Sequence, residues 1–134
     1  MVVVAPSVSG IDPELGDVLT RVDPRLHHIA NWILSVGDAV AIDDFNADGL
    51  PDLFFTFPLK KDGDRAALYR NLGGFRFERV PLPNGQESVE IEKFGIPTCG
   101  LFVDYDSDGD LDLYVLRASG YPRLLENQLT EEGQ

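Results

Sequence analysis

Several things that would place the chain in a functional class are scarce or missing. Cysteine occurs once, at Cys99, so no internal disulfide can form. A lone cysteine just ahead of an apolar run is expected to be a small buried hydrophobe, not a reactive thiol. Lysine and arginine number 11 against 23 aspartates and glutamates, a formal charge of −12. No basic stripe is present to meet a phosphate backbone, which excludes nucleic acid as a partner, and the acidic surface repels anionic membranes. No apolar run approaches the roughly 20 residues needed to cross a bilayer, so direct membrane insertion is not expected. Residues 1–10 lack the positive start and long apolar stretch of a signal peptide. The sequence is therefore expected to be a mature product, a trimmed one, or a piece of something longer.

What is abundant is aspartate in a fixed pattern. Asp44, Asn46, Asp48, Gly49 and Asp52 repeat as Asp104, Asp106, Asp108, Gly109 and Asp112. Each copy reads D-x-[DN]-x-D-G-x-x-D. Alternating carboxylates and carboxamides along a tight loop aim hard oxygens at one centre, and Ca²⁺ takes six to eight oxygens at about 2.3–2.6 Å. Glycine lets the chain turn back where a side chain would collide with the ion. A solvated acidic turn is the alternative, because Asp, Asn and Gly are ordinary turn formers. Two copies at matching positions argue against it, since four clustered polar or like-charged groups repel without a cation.

An EF-hand is excluded, because its twelfth loop position needs a bidentate Glu. Phe55 and Val115 stand there. The flanks Val40-Ala41-Ile42, Leu53-Phe54-Phe55-Thr56-Phe57, Leu101-Phe102-Val103 and Leu111-Asp112-Leu113-Tyr114-Val115-Leu116 are short aromatic and β-branched runs bounded by turn residues. Such runs read as strands, so each loop joins the two strands of a hairpin.

A second repeated element follows each loop: Leu68-Tyr69-Arg70-Asn71 with Gly73-Gly74-Phe75-Arg76-Phe77, then Leu124-Leu125-Glu126-Asn127. Asp44 and Asp104 are 60 positions apart, Asn71 and Asn127 only 56. The four extra residues of the first copy fit Lys60-Lys61-Asp62-Gly63-Asp64-Arg65, expected to be a long exposed hairpin loop. A period of this size with several strands per unit implies an array or a propeller.

With these elements in place, the chain resembles the FG-GAP/VCBS repeats of integrin α-like β-propellers. The likeness lies in Phe94-Gly95 ahead of the second acidic loop, in the loops themselves, and in the Leu-Tyr-Arg-Asn and Gly-Gly-x-Phe signature. It covers about residues 37–128. The first loop departs from the pattern, with Val36-Gly37 where Phe-Gly is expected.

The resemblance implies an all-β fold of about two four-stranded antiparallel propeller blades, the second incomplete, after an irregular N-terminal segment. The divisions are 1–36, a linker or edge segment; 37–92, a blade with loop 44–52; and 93–134, a second blade with loop 104–112. It also implies two calcium sites. One would use the side chains of Asp44, Asn46, Asp48 and Asp52 with the carbonyl of Leu50. The other would use Asp104, Asp106, Asp108 and Asp112 with the carbonyl of Asp110, and its extra carboxylate makes it the tighter site. Two dications would raise the formal charge from −12 to −8.

The expected function is a non-catalytic, calcium-stabilised module that binds protein or carbohydrate in an extracellular, cell-surface or periplasmic setting. Weak calcium loops fill at millimolar extracellular calcium. The alternatives are a scaffold subunit of a larger extracellular complex and part of a sugar-cleaving propeller. No G-x-S-x-G or H-E-x-x-H occurs, and carboxylates held by a cation are poor acids. The expected fourth strand of the second blade is missing where Leu129-Thr130-Glu131-Glu132-Gly133-Gln134 stands. Neighbouring blades are thus expected from a longer chain or from other subunits.

Three smaller expectations concern the rest of the chain. Val2-Val3-Val4 offers a closing edge strand. Asp12-Pro13 and Asp23-Pro24 carry a helix-start pattern, with short helical turns and extended linker both open. His27, His28 and Trp32 are assigned a structural role over a metal or stacking site, since adjacent strand side chains point to opposite faces. Tyr69, Phe75 and Phe77 are assigned to packing between blades.

Overall fold

The computed structural model describes residues 2–14, 16, 20, 22–34, 38–57, 60, 64–82, 96–118 and 121–128. Within them the chain is all-β in its ordered body, with two antiparallel sheets. The first has four strands in sequence order: β1 (Ala39–Asp43), β2 (Asp52–Thr56), β3 (Ala66–Asn71) and β4 (Phe77–Val80). The second has three: β5 (Pro97–Val103), β6 (Asp112–Arg117) and β7 (Arg123–Leu125). Each is a meander of the kind that forms a propeller blade. The expected hairpins are present, with β1 paired to β2 from Asp43↔Asp52 outward and β5 to β6 from Val103↔Asp112. The acidic loops close both.

Alternation along the strands sorts residues to two faces. In the first sheet Ala41, Phe54, Ala66 and Leu68 share the back face and pack on Phe102, Leu113 and Val115 from the front of the second sheet. Phe54 and Val115 have no exposed surface. Phe45 of the first loop stacks on Phe102, with ring centroids 6.4 Å apart and planes 9° from parallel. Burying large side chains of this kind contributes about 2–3 kcal/mol each. This joint is the main core of the molecule.

The front of the first sheet is covered differently. A short helix α1 (Pro6–Ser9) leads into extended residues that run against β3 and β4. Gly10 runs so close to β4 that a Cβ there would meet the carbonyl oxygen of Phe77. Asp12 donates its backbone N–H to the Tyr69 hydroxyl at 3.4 Å, and its Oδ2 accepts from Lys60 Nζ at 2.6 Å. Lys60 lies 4.5 Å above the Phe57 ring and is buried. Lys60 is thus no part of an exposed polar loop: its ammonium sits over an aromatic ring and reaches a carboxylate. Tyr69 is buried as expected, but beneath this N-terminal segment and edge-on to Phe55, not between blades.

Other expectations are corrected too. Val2-Val3-Val4 forms no strand, and Val2 and Val3 are almost fully exposed. Phe75 is exposed at the tip of the β3–β4 turn, with a left-handed φ of 60°. Cys99 is exposed, because strand alternation puts it with Leu101 on the back of β5, away from the joint. Asp23-Pro24 does begin a helical turn: Asp23 Oδ1 accepts from Arg25 N at 2.9 Å, capping a 3₁₀ turn (Pro24–Leu26) that runs into α2 (His27–Leu34). Asp12 makes the same local bond to Glu14 N at 2.9 Å without starting a helix. His27, His28 and Trp32 are exposed on α2, so their geometry is helical, not that of a strand. The divisions at 36–37 and 92–93, Phe94-Gly95, Lys61-Asp62-Gly63 and residues 129–134 lie outside the described residues.

Candidate metal centre

The two acidic loops fold alike, down to single hydrogen bonds. Both turn through left-handed residues at the fourth and sixth positions: Ala47 and Gly49 with φ of 57° and 85°, Ser107 and Gly109 with φ of 65° and 101°. A Cβ on either glycine would touch nothing within 4 Å. The backbone angle, not crowding by protein atoms, is what calls for glycine there.

The first aspartate of each loop accepts across the turn, Asp44 Oδ2 from Gly49 N at 2.8 Å and Asp104 Oδ2 from Gly109 N at 3.2 Å. The third and fifth positions make Asx turns. Asn46 Oδ1 and Asp106 Oδ1 each accept from the N–H two residues on, both at 3.3 Å. Asp48 Oδ1 accepts from Leu50 N at 2.9 Å and Asp108 Oδ1 from Asp110 N at 3.1 Å. The carbonyls of Leu50 and Asp110 complete the expected sets by position.

The ninth position has a second role that the sequence did not reveal. Asp52 and Asp112 have no exposed surface. Each accepts one backbone N–H from its own loop and one from the far end of the next strand, or just past it. Asp52 takes Phe45 N at 3.2 Å and Asn71 N at 2.7 Å; Asp112 takes Tyr105 N at 3.1 Å and Asn127 N at 2.8 Å. The repeated asparagine returns the favour through its side chain, Asn71 Nδ2 to Pro51 O at 2.8 Å and Asn127 Nδ2 to Leu111 O at 3.2 Å. The Asp and Asn elements are two ends of one latch, which explains why they recur together. Asn127 Nδ2 also reaches Phe45 O at 2.8 Å, tying the second sheet to the first loop.

Asp104, Asp106 and Asp108 bring one carboxylate oxygen each to within 4.8 Å of one another. Oxygens shared by a Ca²⁺ at 2.3–2.6 Å lie no more than about 5 Å apart, so the trio fits a single hard cation. Asp112 stands outside the trio, although each of its oxygens keeps a second lone pair beyond the backbone bond. The first loop places two carboxylates and an amide at the same three positions. There Asn46 Nδ2 donates to Asp48 Oδ2 at 2.9 Å, and Asp48 N donates to Asp44 Oδ1 at 3.0 Å.

Two carboxyls are lifted above the usual aspartate range. Burial raises Asp52, and Asp48 and Asp44 push the same way, against the N–H bonds from Asn71 and Phe45. Desolvation also raises Asp106, reinforced by the charges of Asp108 and Asp112 and opposed by the Asp108 N–H.

Two antiparallel meanders joined face to face, each headed by a D-x-[DN]-x-D-G-x-x-D hairpin, define a propeller-type repeat module. A family model described as FG-GAP-like repeat matches residues 44–115, which is more than half of the 134 residues. The chain belongs to the FG-GAP-like repeat family. No curated protein and no solved structure matches it. No helix among the described residues is long and apolar enough to cross a membrane.

Proposed function

We propose that this chain is a non-catalytic, calcium-binding propeller module whose loops serve to bind protein or carbohydrate outside the cytosol. The observation that supports it most directly is the convergence of three carboxylates at Asp104, Asp106 and Asp108. In this reading the second loop holds one Ca²⁺ with Asp112 and the carbonyl of Asp110. The first loop holds another with Asp44, Asn46, Asp48, Asp52 and the carbonyl of Leu50. The ion supplies positive charge that offsets carboxylate repulsion, and its binding energy goes into keeping the hairpin folded. Ligand charge ranks the second site above the first.

An extracellular, cell-surface or periplasmic setting follows from the chemistry of such loops, which fill at millimolar calcium and stay empty at resting cytosolic levels. Isothermal calorimetry tests the reading directly. Two calcium ions per chain are expected, with Asp108→Ala and Asp48→Ala each removing one. Unchanged stoichiometry in both variants, or no heat and no thermal stabilisation by millimolar Ca²⁺, would reject it.

A further inference from the structure

The joint between the sheets uses opposite faces of the same repeat: the back of the first sheet sits on the front of the second. Phe54 is its central knob. Its ring lies over Gly100 so closely that a Cβ there would come within contact-breaking distance of it. Aligning the two loops puts Leu101 in the place of Ala41, Tyr114 in that of Phe54 and Tyr105 in that of Phe45. Aligning the two asparagines puts Leu124 in the place of Leu68. The back of the second sheet is therefore another copy of the knob half of the joint.

That copy faces solvent. Leu101, Tyr105, Leu116 and Leu124 are 57%, 51%, 42% and 38% exposed. Leu101, Tyr114 and Leu124 form one cross-strand row, with Leu116 and Cys99 in the next. Part of the receiving half is also displayed, on the β1 side of the first sheet's front that the N-terminal segment leaves uncovered. Val40 and Ile42 take the places of Gly100 and Phe102 and are 49% and 60% exposed. Val40 is bulkier than glycine, but a cavity of about 380 Å³ opens over Val40, Phe55 and Phe57, rimmed by Asp12 and Glu14.

We propose that a second copy of this chain docks head to tail, seating its Val40–Ile42–Phe55 front on the Leu101–Tyr114–Leu116–Leu124 back of the first. Tyr114 enters the cavity over Val40, and Tyr105 stacks where Phe45 stacks within the chain. The internal bond from Asn127 to the Phe45 carbonyl has its counterpart in Asn71 of the incoming copy reaching the Tyr105 carbonyl. The two faces differ, so the contact is heterologous and builds a ring or an open array. It rests on the fold alone and does not depend on calcium. Strong negative charge on each copy opposes docking, so added salt tightens it.

The test is sedimentation of the full chain over a concentration series at low and high salt, with maleimide labelling of Cys99 as a reporter of the covered face. The mass is expected to rise from 14.8 kDa to multiples of it, while labelling slows in step. Leu116→Lys spoils one face and Val40→Lys the other, so each variant alone stays monomeric. Mixed in equal amounts they form a dimer and nothing larger, which also shows that both fold. A wild-type chain that stays monomeric to its solubility limit would overturn the proposal. So would a mixture that fails to pair, or self-pairing by Val40→Lys, the mark of back-to-back contact.

Discussion

The two acidic loops share a backbone and differ in one side chain that matters, Asn46 against Asp106. In the first loop the amide donates to Asp48, so one carboxylate is neutralised in part by the protein itself. In the second, a carboxylate replaces the amide, and three acidic oxygens face one another within 4.8 Å. One atom pair thus separates a loop that supplies some of its own positive character from one that leaves the task to a cation. Repulsion between such exposed groups is screened by solvent but still favours a cation among them.

The largest effect expected on this comparison comes from the part the loops have in common. Asp52→Ala and Asp112→Ala each strand two backbone N–H groups at a buried latch. Each should cost about 3 kcal/mol in urea unfolding with or without calcium; a loss seen only with calcium would make these residues ligands and nothing more. Next, Gly49→Ala and Gly109→Ala force alanine into a left-handed turn, at about 1–2 kcal/mol each. Equal losses at both would show that the loops share one backbone requirement.

The difference itself is probed by exchange. Asn46→Asp should strengthen calcium binding at the first loop by about tenfold, or ~1.4 kcal/mol, while lowering stability in chelator. Asp106→Asn should do the reverse at the second loop, both read by calorimetry and thermal unfolding. If the two exchanges leave affinity unchanged, ligand charge does not set the order of the sites.

The smallest effect lies away from the loops and serves as their control. The Lys60 ammonium, and then the Glu14 N–H, hold the Asp12 carboxyl below its usual value. A carboxylate lowered on folding adds stability above its unfolded value of about 3.9 and gives it up as pH falls through the folded one. Because the Asp12 side chain keeps 40% of its surface in solvent and asparagine can still accept from Lys60, Asp12→Asn should cost no more than about 1 kcal/mol at neutral pH. The difference from wild type should shrink as pH falls below the unfolded value and vanish once the folded carboxyl is protonated, as thermal melts across pH would record.

How much of this was visible beforehand follows the range of each interaction. The loops and hairpins were legible because their determinants lie within nine positions, as Asp44 and Asp52 do, and because they occur twice. The recurrence of Asn71 and Asn127 was visible, but not its cause. The latch joins Asn71 to Asp52 and Pro51 across 19 and 20 positions, and spacing alone does not say which backbone groups meet. Cys99 was misjudged for a related reason: alternation separates two faces but does not say which one a neighbouring sheet covers. The salt bridge between Asp12 and Lys60 spans 48 positions and gave no local sign, so Lys60 looked like part of a solvated loop.

The bond from Asn127 to the Phe45 carbonyl joins positions 82 apart. Every hydrogen bond described within the first loop spans no more than seven residues. Closing a long span spends chain entropy before any contact rewards it, so during synthesis the first hairpin can form while the second sheet is still being made. Its last fastening waits for residue 127. Until then the first loop is held from one side only, and its amides should exchange with solvent faster than they do in the finished chain.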